Sequence, residues 1–131
     1  MCKLIKNPTL FVDIDGTLVK YRKFSEIETS EAEPIQDVVD YINNHYDSGS
    51  VIIITTARPE KYKQLTIDEL NKVGVKFNKL ITDCGRGTRV ILNDLDPSNP
   101  GIRRAVGINL VRNEGLKNIE IPDDILPYDS E

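Results

Sequence analysis

Leu10-Phe11-Val12-Asp13-Ile14-Asp15-Gly16-Thr17 is the stretch whose reading decides the fold. Leu10-Phe11-Val12 reads as a short buried strand, entered near Thr9 after Pro8. Two carboxylates separated by one residue follow it, and then a glycine. Side chains alternate along an extended segment, so Asp13 and Asp15 start on the same side. Like charges held that close are unfavourable unless a cation or a proton lies between them. A structural strand has no use for such a pair, whereas a hydrolytic site has. One carboxylate attacks, its neighbour moves a proton, and a hard divalent ion neutralises the group. Gly16 lets the backbone turn sharply where a ligand can approach. A calcium loop of the EF-hand kind also uses Asp-x-Asp-Gly, but it needs flanking helices and further oxygen ligands. Here a strand precedes the pair, and Leu18 and Val19 stand where those ligands would be.

With 131 residues, a single domain over 1–131 is expected, with a core at about 9–112 and an acidic tail at 113–131. The net charge of −4 and pI near 5.1 speak against general nucleic-acid binding. Cys2 and Cys84 lie far apart without a metal-site pattern, which suits a reducing compartment. No apolar run approaches the ~20 residues of a membrane span, and no signal-peptide core is evident. A soluble, cytoplasmic protein is therefore expected.

Working outward, Met1 to Lys6 is a short basic lead. Leu18–Tyr21 and Phe24–Ile27 suit a small hairpin about Arg22-Lys23, with a solvated loop as the alternative. Pro34 opens a helix whose apolar face is Ile35, Val38, Val39 and Ile42, opposite Gln36, Asp37 and Asp40. His45, near its end, suits a helix-terminal or surface role. Val51-Ile52-Ile53-Ile54 is a β-branched run, expected to be covered on both faces in a parallel sheet. It ends in Thr55-Thr56-Ala57-Arg58-Pro59, where open α/β sheets bind ligands. Arg58 suits a fork-like contact with phosphate.

Pro59 starts a second helix to about Val73, with Tyr62, Leu65, Glu69, Leu70 and Val73 along one side, and Gly74 stops it. Lys79–Thr82 is a short strand, followed by the glycine-rich loop Asp83–Arg89. Arg89–Leu92 and Ala105–Leu110 read as further strands, and the first ends in Asn93-Asp94-Leu95-Asp96-Pro97. Cys84 suits a small, partly buried thiol. Ile119, Ile121, Ile125 and Leu126 suit a tail that packs as an edge strand or oligomer contact, with a frayed end as the alternative. The element order predicts a three-layer α/β fold with a mostly parallel central sheet.

Asp13-Ile14-Asp15-Gly16-Thr17 after an apolar strand resembles the first motif of the haloacid dehalogenase superfamily, most of whose members are magnesium-dependent phosphatases. The resemblance implies a Rossmann-like core over about Leu10 to Leu110, with a flap after the first strand. Thr56-Ala57-Arg58-Pro59 resembles the second motif, which gives Thr56 the phosphoryl oxygen, with Thr55 as the neighbouring alternative. Gly16, Thr17, Arg58 and Arg89 then line the substrate. At the fourth motif stands Asn93-Asp94, where the family has two acids. Asp94 takes the metal-ligand role, Asn93 offers a neutral oxygen, and Asp96 is the fallback. The third motif departs from the family. Lys79 lies too far back for its lysine, so Arg86 is the best positional substitute and Arg89 the second.

The resemblance implies the following chemistry. Mg2+ is held by Asp13, Asp94 and the backbone carbonyl of Asp15. Asp13 attacks phosphorus to give an aspartyl-phosphate, and Asp15 moves the proton. Thr56 and Arg86 stabilise the spread charge. The gaps from Asp13 to Thr56 and from Thr56 to Asp94, 43 and 38 positions, leave no room for a large cap domain. Capless relatives use open sites or a neighbouring subunit as a lid, which is compatible with a homo-oligomer. The substrate is a phosphorylated molecule of unspecified identity. Two other readings are a degenerate scaffold that binds a phosphorylated ligand or a protein partner, and a phosphatase on nucleotide or nucleic-acid ends. The latter predicts strongly salt-dependent binding.

Overall fold

A computed structural model describes residues 7–122. Three strands, β1 (Thr9–Val12), β2 (Val51–Thr55) and β3 (Lys79–Ile81), form a parallel sheet in the order β1-β2-β3. Helix α1 (Gln36–Asp47) connects β1 to β2, and α2 (Lys63–Val73) connects β2 to β3. This is a small α/β arrangement compatible with a Rossmann-like fold. No helix among the described residues is long and apolar enough to cross a membrane.

The strand register explains where the core lies. Leu10 pairs with Ile52, Val12 with Ile54, and Ile54 with Leu80, so these five share one face. Val38, Val39 and Ile42 of α1 and Leu70 of α2 join Val12, Ile52 and Ile54 in one buried cluster. Both helices thus cover the same face. Same-handed right-handed crossovers between consecutive neighbouring strands require this. The other face carries Phe11, Val51 and Ile81, which stay 53%, 42% and 47% exposed. The β-branched run of β2 is therefore covered on one face, not on both. The third layer has no counterpart among the described residues.

Several local expectations are corrected. Helix α1 begins at Gln36, after Ile35, rather than at Pro34. The second helical stretch begins as a 3-10 turn at Glu60–Tyr62 before α2 proper, and α2 buries Thr66 as well as Leu70. The flap is not a hairpin, because Phe24–Glu26 forms a 3-10 turn with the Glu26 carboxylate accepting from the Lys23 N–H. His45 is fully buried. It sits one turn beyond Ile42 on the apolar face of α1, packs edge-on against Tyr41 at 4.7 Å, and faces the Ser50 hydroxyl. Cys84 is half-buried with a free thiol.

The largest differences follow Asp83. Neither Arg89–Leu92 nor Ala105–Leu110 forms a strand, and both are irregular segments outside the sheet. The chain returns at residues 112–116. Here the Asn113 N–H donates to the Gly16 carbonyl at 2.9 Å and the Leu116 N–H to Asp37 at 3.0 Å. Of the tail, Ile119 and Ile121 are half-buried. The basic lead Met1–Lys6, with Cys2, and the tail residues Ile125 and Leu126 lie outside the described residues.

Candidate active site at the carboxyl edge of the sheet

Asp13 follows the last residue of β1. The turn after it is held by a single acceptor, the Ile14 carbonyl, which receives the N–H groups of Thr17, Leu18 and Val19 at 2.8–3.2 Å. The Gly16 N–H closes the turn onto the Val19 carbonyl at 2.7 Å. Gly16 has φ +88°, the left-handed region that favours glycine. A side chain there would also meet Arg112, whose Cγ lies 3.1 Å from the Cβ position.

Asp13 keeps a solvent-accessible carboxylate, and the Thr17 hydroxyl donates to it over a long 3.4 Å. The protein packed around it pushes its pKa up, and the Asp15 charge pushes the same way. The hydrogen bond from the Ile14 backbone, the positive charge of Arg89 and the Thr17 hydroxyl pull it back.

Asp15 is held differently. Arg58, fully buried, donates Nε to one carboxylate oxygen at 3.0 Å and Nη2 to the other at 2.8 Å. Nη2 also reaches Glu69 at 2.9 Å, and Nη1 reaches the Thr66 hydroxyl at 3.1 Å. Arg22 of the flap donates to the same Glu69 oxygen at 2.6 Å. The four charges Asp15, Arg58, Glu69 and Arg22 thus tie together the turn after β1, the end of β2, helix α2 and the flap. Burial lowers the Arg58 pKa, but the hydrogen bonds and charges of Asp15 and Glu69 more than offset this and hold the guanidinium charged. Arg58, read in the sequence as a phosphate contact, has its fork taken up by Asp15.

Thr56 is buried at the corner after β2. Its N–H donates to the Ile81 carbonyl, its carbonyl accepts from the Cys84 N–H, and its hydroxyl accepts from the Arg58 N–H at 3.1 Å. Thr55, half-buried, still belongs to β2, opposite Ile81. Of the two loop arginines, Arg86 lies over the Phe24 ring at 4.6 Å. Arg89 donates to the carbonyls of Gly85 and Gly87 and is the one whose charge acts on Asp13.

Asn93 and Asp94 are not brought to Asp13. Both are exposed, and Asp94 accepts from Arg104 at 3.0 Å. Asp96 also faces Arg104, and Ser98 donates to it through both N–H and hydroxyl, which lowers its pKa. Among the described residues no three His, Cys, Asp or Glu side chains gather as a metal-binding group. Among the described residues, the donors that the resemblance assigns to Mg2+ are therefore not gathered in one place. Arg112 carries no chemistry in the sequence reading. It crosses Gly16, stacks on Tyr21 at 4.0 Å and is exposed. The neighbouring Asn113 side chain accepts from the Tyr21 N–H at 2.7 Å. The separation of 96 positions between Gly16 and Arg112 hides their contact from any local pattern.

No family model and no curated protein matches the chain. A search of solved structures finds the crystal structure of a target protein from Vibrio cholerae, similar over 70% of this chain and 85% of that one, with 21% identity and a TM-score of 0.50. At that identity the likeness concerns the fold. It agrees with a small α/β domain.

Proposed function

We propose that this protein is a phosphomonoesterase of the haloacid dehalogenase type that works through an aspartyl-phosphate in a cytoplasmic setting. The observation that carries the reading is Asp13: an accessible carboxylate at the end of a parallel strand, beside a left-handed glycine turn and under the charge of Arg89. A carboxylate oxygen of Asp13 attacks phosphorus, and the ester oxygen leaves with a proton delivered by Asp15. Water then cleaves the acyl phosphate, returning Asp13 and releasing phosphate. For Asp15 to move that proton, it must give up one of its two contacts with Arg58. Arg89 and Arg112 supply positive charge at the same edge, where negative charge spreads over the phosphoryl oxygens.

The test is hydrolysis of an aryl phosphate, with and without Mg2+, beside Asp13→Asn. Turnover that needs both the metal and Asp13 supports the reading. Equal rates for the folded variant and the wild type would sink it. A second reading, a phosphate-binding scaffold without turnover, has its own support in the double grip of Arg58 on Asp15. Saturable binding of a phosphate analogue without hydrolysis would favour it.

A further inference from the structure

Residues 85–109 are exposed at every position except Asp96 and Val106. A loop so placed is ordinarily polar. This one presents Val90, Ile91, Leu92, Leu95 and Ile102 at 75%, 46%, 91%, 56% and 57% exposure. Its two limbs, Arg89–Ile91 and Ala105–Gly107, enclose a gap of about 310 Å3, so they do not bury each other. The segment is an arm with the composition of a core strand, and its apolar side chains stay exposed against the described residues.

The sheet has the complementary deficiency. Among the described residues, β1 pairs only with β2, which leaves its outer backbone edge without a strand partner. The open sheet face, with Phe11, Val51 and Ile81, adjoins that edge. Unpaired edges of this kind invite another strand.

The chain cannot fill this edge with its own arm in the useful direction. To run parallel to β1 and end at the carboxyl edge, Arg89–Leu92 would have to start at the opposite end of the sheet. The chain leaves β3 at Ile81, and only the seven residues Thr82 to Thr88 intervene. A parallel crossover takes about a dozen residues or more. This one would also have to pass β2 and β1, three strand spacings of about 4.8 Å each. An antiparallel approach would turn Asn93 and Asp94 away from Asp13.

We propose that two copies exchange arms: Arg89–Leu92 of a second copy pairs in parallel with the free edge of β1 and brings that copy's Asp94 beside Asp13. The pairing buries the arm's apolar residues and closes the edge. The exposed Arg104–Asp94 ion pair holds Asp94 only weakly against the move. The role of Asp94 rests on the phosphatase reading, and the pairing does not. Asp13 and the second copy's Asp94 would then together offer hard oxygen donors to a divalent cation, which the described residues of one chain do not gather.

The experiment separates the two parts. In a Cys2→Ser, Cys84→Ser background, Phe11→Cys chains are co-refolded with chains carrying Cys at Ile91 or at Leu92, then oxidised. A disulfide-linked heterodimer is expected, and wild type should sediment as a dimer. A chain that stays monomeric at all concentrations with no cross-link overturns the proposal, as does an intramolecular disulfide in Phe11→Cys/Leu92→Cys. In parallel, Asp13→Asn and Asp94→Asn chains are co-refolded in equal amounts. Random two-fold pairing leaves about one quarter of the sites intact, so about one quarter of wild-type hydrolysis should return. No recovery, with active wild type, shows that Asp94 does not act across copies. If wild type itself hydrolyses nothing, the phosphatase reading fails and the cross-link alone decides the exchange.

Discussion

Arg58 grips Asp15 through both carboxylate oxygens, at 2.8 and 3.0 Å, from a position with no solvent exposure. The pair joins the end of β2 to the turn after β1, so one contact couples the frame of the sheet to the candidate catalytic loop. Glu69 and Thr66 take the remaining donors, which fixes the guanidinium from the side of α2.

Removing this cation leaves two carboxylates facing each other in a partly buried space. Arg58→Met should therefore lower unfolding free energy by about 3–5 kcal/mol. Arg58→Lys keeps the charge but loses the planar fork, and should fall between the two. Urea unfolding followed by circular dichroism measures both. A loss below about 1 kcal/mol for Arg58→Met would mean that water, not Arg58, balances Asp15.

Gly16 meets two constraints at once: φ of +88° and the Arg112 side chain across it. Gly16→Ala should destabilise by about 1–2 kcal/mol from the backbone conformation alone. The added methyl also presses on Arg112, so the contact with Tyr21 should loosen. Trimming the obstruction separates these effects. In an Arg112→Ala background the penalty of Gly16→Ala should shrink but not vanish. An unchanged penalty would show that Arg112 already yields without loss.

The loop arginines make unequal predictions. Arg89 acts on Asp13, whereas Arg86 rests on the Phe24 ring. Under the phosphatase reading, with each arm on its own chain as in the structure, Arg89→Gln should reduce kcat/KM by about 100-fold, in the range for losing one group that stabilises transition-state charge. Arm exchange, which carries Arg89 to the amino end of β1, predicts a several-fold change at most. Arg86→Gln should change it several-fold at most. Aryl phosphate hydrolysis by the two variants decides the point, and the reverse ranking would reassign the missing lysine's role to Arg86.

Local patterns revealed much of this molecule and failed where distance or topology took over. The β-branched run Val51–Ile54 and the spacing of Val38, Val39 and Ile42 announce β2 and α1, because strand propensity and helical periodicity are local properties. The turn at Gly16 is legible for the same reason. Val90-Ile91-Leu92 has an equally good strand pattern, yet lies outside the sheet. Propensity does not register that seven residues are too few to carry a chain back beneath two strands. Arg58 illustrates a second limit. Its place at a strand end marks it as functional, but its partner Asp15 lies 43 residues away, so a phosphate contact and an internal ion pair read alike. His45 illustrates a third, since a polar residue near a helix end suggests surface until its position one turn beyond Ile42 is weighed.

That buried histidine carries a pH signature. Burial lowers the His45 pKa below its ordinary value of about 6.5, since the charged form cannot be solvated there. Its Nε2 has no hydrogen-bond partner among the described residues, while the ring packs edge-on against Tyr41 and Nδ1 faces the Ser50 hydroxyl. The unfolded chain therefore takes up a proton more readily than the folded one. The stability it contributes is full above about pH 6.5 and declines as pH falls toward the folded pKa, by at most about 1.4 kcal/mol for each unit of displacement. His45→Gln should be less stable at pH 7.5 through lost packing, but should show a shallower fall in melting temperature between pH 7 and 5. Parallel slopes for the two proteins would mean that His45 charges in place, and that the acid sensitivity of the fold arises among its carboxylates.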